Sequence, residues 1–155
     1  MVKYVKGNLL DSDCMYICHQ VNCQGVMGSG IAKQIKDRWP EVYSNYRITC
    51  SMFKPEKLLG TIDVVDTNDH HNIVNIFGQL TCGYDGKRYT SYDAFSDALK
   101  KFKAWFPHGS TIGFPKNIGC GLGGGNWKVI STLIEEILGD DFEVYIYEYD
   151  ESKED

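Results

Sequence analysis

"CHQVNCQGVMGSGIAKQI", residues 18–35, passes from an apolar run through a turn bearing Gly25, Gly28 and Gly30 into an amphipathic run that Ile31 opens. A strand, a permissive turn and a helix in that order place successive backbone amides, and the positive end of the helix, around one point. Such a cradle suits an anion of pyrophosphate size. The Gly-x-x-Gly-x-Gly spacing is neither the dinucleotide fingerprint nor a Walker loop. His19 and Asn22 fall where the strand is expected to end, both within reach of a cleft mouth. Each also has a structural reading: a histidine satisfied within the sheet, and an asparagine serving the turn.

Outward from this stretch, short runs of β-branched and aromatic residues alternate with helical patterns, which predicts α/β layering around a mostly parallel sheet. Strands are expected near residues 3–6, 15–20, 60–66, 72–77, 111–114 and 143–149. Helices are expected over 31–37 and 41–50, divided by Pro40, and over 91–106 and 127–138. In 91–106, Ala94, Phe95, Ala98, Leu99, Phe102, Trp105 and Phe106 form one apolar stripe at helical spacing, and so do Val129, Ile130, Leu133, Ile134, Ile137 and Leu138 in 127–138. Both stripes are read as core.

A second glycine-rich segment, "FPKNIGCGLGGGNW" at 114–127, also joins a predicted strand to a predicted helix and carries five glycines between residues 119 and 125. That density fits a backbone that approaches an extended ligand, while Asn126 is read as the helix N-cap. Between the two loops, "GQLTCGYDGKRYT" at 78–90 places the adjacent cations Lys87 and Arg88 near the strand ends. They suit either phosphate or ribose contact, or a solvated turn at Asp85–Gly86. In open α/β sheets these positions converge on one crevice at the carboxyl ends of the strands.

The 155 residues fit one domain with a single core, and 43% hydrophobic with 24% charged residues is ordinary globular composition. A net charge of −5 argues against a nonspecific grip on nucleic acid. Six cysteines without metal-ligand spacing or a leader-like segment point to reduced thiols and a cytoplasmic location. No metal or cofactor, no membrane partner and a monomeric state are expected. Residues 1–150 are read as the domain and 151–155 as a solvated acidic tail.

Three segments, "YVKGNLL", "CHQVNCQGVMGSGIAKQIKDRWPEVYSNY" and "PKNIGCGLGGGNW", together make the chain resemble a macrodomain, the ADP-ribose-binding three-layer α/β/α fold, over nearly its whole length. The branch it most resembles is the yeast-type ADP-ribose 1″-phosphate phosphatase. The resemblance implies a mixed, mostly parallel sheet of about six strands and a set of roles. Asn8 takes a position where many macrodomains hold an Asp that accepts from the adenine amino group, and Leu9 packs on the base. Asn22 contacts the terminal ribose, and Gly28, Ser29, Gly30 and Ile31 line the ribose and phosphate path. Gly119, Cys120, Gly121, Leu122 and Gly123 enclose the diphosphate. Tyr147, or else Tyr149, flanks the adenine. His19 matches the histidine implicated in the phosphatase branch, as general acid or as nucleophile, with Asn22 positioning ribose or water.

Hydrolysis of ADP-ribose 1″-phosphate to ADP-ribose and phosphate is therefore the leading expectation. A module that binds ADP-ribose without turnover is the alternative. Removal of ADP-ribose from protein stands third, because the lysine and aspartate of that chemistry are replaced by Gln79 or Leu80 and by Gly123.

Overall fold

The computed structural model describes residues 1–28 and 30–149. The chain order is β1 (Val2–Lys6), a 3-10 turn (Leu9–Asp11), β2 (Tyr16–Asn22), α1 (Gly30–Arg38), α2 (Pro40–Met52), α3 (Pro55–Leu58), β3 (Ile62–Asp66), β4 (Asn72–Gln79), α4 (Tyr92–Trp105), β5 (Thr111–Pro115), α5 (Trp127–Leu138) and β6 (Glu143–Glu148). The strands form one sheet in the order β1-β6-β5-β2-β4-β3. All neighbours run parallel except β3, which lies antiparallel to β4 at the edge.

Alternation along the strands divides the core into two layers. On one face Cys18, Val74, Ile76, Ile112 and Phe114 pack against Phe95, Leu99 and Phe102 of α4 and Ile130 and Ile134 of α5. On the other, Ile17, Val21, Ile73 and Phe77 pack against Ile35 of α1 and Val42 and Tyr46 of α2. Local signals set the helix ends. Pro40 occupies the first turn of α2, Ser91 caps α4 by accepting from Ala94 N, and Asn126 caps α5 by accepting from Lys128 N, as expected for that residue.

Two residues depart from the expected stripes. Trp105 is 63% exposed and Val129 38% exposed, whereas both were assigned to the core. Trp105 is the last residue of α4 and Val129 lies in the first turn of α5, so each sits at a helix end, beyond the strip the sheet covers. The short α3 was not expected.

Candidate functional site

The parallel strands bring their carboxyl ends to one side of the sheet. There β1 runs into the turn holding Asn8, β2 into the first glycine loop, β4 into the 79–90 segment and β5 into the second glycine loop. A continuous groove results. Its cleft at the β1 end, about 210 Å³, is lined by Asn8, Leu9, Gln34, Tyr147 and Tyr149. It shares Gly30, Ile31, Pro115 and Lys116 with a central cleft of about 470 Å³. The central cleft, which Gly119 and Gly121 also line, shares Gln20, Ala32, Gln79, Leu122 and Gly123 with a distal cleft of about 120 Å³. Asn22, Gly28, Cys82 and Tyr84 complete that distal end.

Most of the expected site residues are thus brought together. Ser29 lies outside the described residues. Cys120 lines neither the central nor the distal cleft: its thiol points to Ile118 O at 3.4 Å, packs against the core, and burial raises its pKa. Lys87 pairs with Asp85 at 3.8 Å and Arg88 stacks over Tyr92 at 4.6 Å, along a separate depression. The groove's cation is instead Lys116, whose ammonium lies 3.6 Å from Glu148.

His19 does not reach the cleft mouth. β2 continues to Asn22, two residues past the expected end, and this carries His19 into the strand's interior on the α1–α2 face. The ring is fully buried. In register across the sheet, His19 opposes Asn75, and Asn75 opposes Asp63. Asn75 Nδ2 faces Asp63 Oδ2 at 3.5 Å, which turns Asn75 Oδ1 toward His19 Nε2 at 2.5 Å. This assigns the ring proton to Nε2 and leaves Nδ1 as a buried lone pair with no partner. Desolvation lowers the His19 pKa from 6.5 to about 4, against the raising effect of the Asn75 bond. Burial likewise raises the Asp63 pKa.

Asn22 lines the groove, but its side chain is committed to the loop. Oδ1 accepts from Gln24 N at 2.9 Å and from the Tyr46 hydroxyl at 2.8 Å, and Nδ2 donates to Val26 O at 2.9 Å. The Tyr46 hydroxyl in turn accepts from Gly25 N at 3.2 Å. Burial pushes that phenol well above its ordinary pKa. A core tyrosine on α2 therefore holds the first glycine loop in shape, a role local sequence patterns do not signal.

Neutral groups form the floor between the central and distal clefts. Gln20 Nε2 donates to Gln79 Oε1 at 2.7 Å and to Thr90 Oγ1 at 2.8 Å, and Thr90 Oγ1 donates to Gly119 O at 2.6 Å. Gln20 Oε1 is buried without a partner. Backbone bonds from Tyr89 N at 2.8 Å and Thr90 N at 2.9 Å to Gly123 O strap the 79–90 segment to the second glycine loop. At Gly123 a Cβ would meet Thr90 Oγ1 at 2.6 Å and Gly119 O at 2.7 Å, so only glycine fits. Gly30, at φ 59°, turns the first loop into α1. Its helix N-terminus and Lys116 supply the positive character of the central cleft. Among the described residues lining the three clefts there is no carboxylate or imidazole.

A six-stranded mixed sheet between two helical layers, with two glycine-rich loops meeting over its carboxyl end, is the macrodomain fold, and comparison with known proteins agrees. The macrodomain of Mycobacterium tuberculosis DarG superposes with a TM-score of 0.74 at 27% identity, covering 95% of this chain and 97% of that one. A Bacteroides thetaiotaomicron protein of unknown function superposes with a TM-score of 0.84 at 26% identity, covering 96% and 98%. Among curated relatives, the DNA ADP-ribosyl glycohydrolase of Mycobacterium tuberculosis is 43% identical over 67 residues, 43% of this chain and 18% of the relative. The ADP-ribose 1″-phosphate phosphatase of Scheffersomyces stipitis is 38% identical over 73 residues, 42% of each. The matches to these curated relatives thus span less than half of their length. No protein-family model matches the chain.

Proposed function

We propose that the groove binds ADP-ribose. The base lies against Leu9, Ile31 and Tyr147, the diphosphate crosses from Gly30 to the Gly119–Gly123 loop beside Lys116, and the terminal ribose occupies the distal cleft at Asn22, Gly28 and Gln79. The observation that carries this reading is the sharing of walls: Gly30, where the first glycine loop enters α1, and Gly119, Gly121 and Gly123 of the second border one central cleft, which is flanked by a base-sized and a ribose-sized space. Relatives named for ADP-ribose derivatives support it. Calorimetry with ADP-ribose tests the reading, and replacing Lys116 with Ala should weaken binding about tenfold as a charge-assisted contact is lost.

Hydrolysis at the terminal ribose is a second reading, favoured by the names of the same two relatives. For the phosphatase form, water attacks phosphorus, the bond to the 1″ oxygen breaks and that oxygen takes a proton. His19, buried and facing Asn75, is not placed to deliver it, and the distal cleft offers amides, the Cys82 thiol and the Tyr84 hydroxyl instead. For the glycosidic form, Gln79 or Leu80 and Gly123 stand where the resemblance calls for lysine and aspartate. We therefore favour binding over turnover. Incubation with ADP-ribose 1″-phosphate should release no phosphate beyond a boiled control, and sustained release would establish the second reading.

A further inference from the structure

The first glycine loop has a second concave face, outside the groove. A depression of about 290 Å³ lies between the backbone of residues 24–28 and the side chains of Lys36 on α1 and of Tyr43 and Arg47 on α2. The Lys36 ammonium stands 4.2 Å from the centroid of the Tyr43 ring, and the Arg47 guanidinium 5.9 Å from it. One aromatic ring therefore holds both cations beside the loop. The other two cations of these helices are neutralised, Lys33 by Asp37 at 3.5 Å and Arg38 by Asp11 at 2.7 Å. Lys36 and Arg47 make no ion pair among the described residues, and no carboxylate lines the depression.

Two like charges beside one ring repel each other, and an anion from solution offsets what the chain does not. The guanidinium offers a planar fork and the ammonium a point charge, a combination that grips a phosphate from two sides. The charges stand no further apart than their two distances from the ring laid end to end, a gap that one phosphate with a contact on each side can span. The loop that floors the depression is fixed in shape, because the Tyr46 hydroxyl accepts from Gly25 N at 3.2 Å and Met27 is buried in the core. Val26 and Gly28 line both this depression and the distal cleft, so the two spaces adjoin. We infer that Lys36 and Arg47 form a second anion site, which takes a phosphate group, across the 24–28 loop from the distal end of the groove. The phosphate arrives free in solution or attached to the groove ligand beyond its terminal ribose. Only the attached form rests on the ADP-ribose reading.

Pyrophosphate titrated into the full chain with ADP-ribose saturating the groove, followed by amide NMR, tests the site. Saturable shifts are expected at residues 24–28, and the double variant Lys36→Gln, Arg47→Gln should weaken pyrophosphate binding there at least about fivefold. Glutamine is as good a helix former as the residues it replaces, and unchanged ADP-ribose affinity shows that the variant is folded. ADP-ribose 1″-phosphate separates the two sources. Binding about threefold or more tighter than ADP-ribose in the natural chain, and equal to it in the double variant, marks the attached phosphate. Equal binding of the two in the natural chain, with pyrophosphate still bound at 24–28, marks the free one. No saturable shift at 24–28, or shifts that the double variant leaves in place, would overturn the site. If ADP-ribose does not bind, the groove reading fails by itself, and pyrophosphate shifts at 24–28 that the double variant removes still establish the site.

Discussion

His19 shows how far a residue's role depends on two positions of strand length. A histidine at the end of β2 would face the groove, whereas two further residues of pairing bury it against Asn75, with a pKa lowered from 6.5 to about 4. The group binds a proton less readily folded than unfolded. The stability that comes from keeping it neutral is therefore present above about pH 6.5 and is lost as pH falls toward 4, by up to about 3 kcal/mol. Urea denaturation between pH 7 and 4 should show this slope in the natural chain, and His19→Gln should remove that part of it. Parallel curves would mean the ring is hydrated. Tyr46→Phe removes the hydroxyl that bonds Asn22 Oδ1 and Gly25 N. It should cost about 1–2 kcal/mol in thermal unfolding and weaken ADP-ribose binding several-fold. Unchanged binding would show that the loop holds its shape without the clamp. Neither Tyr46 nor Lys116 was legible as a site residue. Tyr46 lies on the buried face of an amphipathic helix, Lys116 is one lysine among many, and both gain their roles only when distant segments meet.

The elements themselves were largely legible, because their signals are local. Pro40 divides α1 from α2, Ser91 and Asn126 cap α4 and α5, and the six strand segments carry their own β-branched and aromatic runs. Strand ends were less so. The carboxyl ends of β2 and β4 are set by pairing between them, Val21 with Phe77 and Asn22 with Gln79, which a single segment does not encode. The exposure of Trp105 and Val129 has the same origin: periodicity gives a helix face but not the extent of the sheet beneath it. The two glycine loops were recognisable as strand-to-helix loops that border one crevice, but the strap that joins the second of them to residues 79–90 was not. Gly123→Ala tests that strap, since its methyl group would displace Thr90 Oγ1 or the Gly119 carbonyl. ADP-ribose affinity should fall at least tenfold, with a loss of about 1–3 kcal/mol in stability from overpacking. Full retention of both would place the strap outside the binding surface.

At the scale of the molecule, parallel strands collect their outgoing loops on one side of the sheet, and four segments distant in sequence become one groove. That topology explains how a chain of net charge −5 can hold an anionic ligand: backbone amides, a helix N-terminus and Lys116 act locally while the rest of the surface stays acidic. Among the described residues no helix is long and apolar enough to cross a membrane. The shared wall of the clefts is the premise on which the binding reading depends. Its most direct test is calorimetric titration of the natural chain with ADP-ribose beside free ribose 5-phosphate and AMP. One-to-one binding of ADP-ribose at least a hundredfold tighter than either fragment is the result expected of a continuous groove. Equal affinities for the fragments and the whole, or no binding of ADP-ribose, would contradict it.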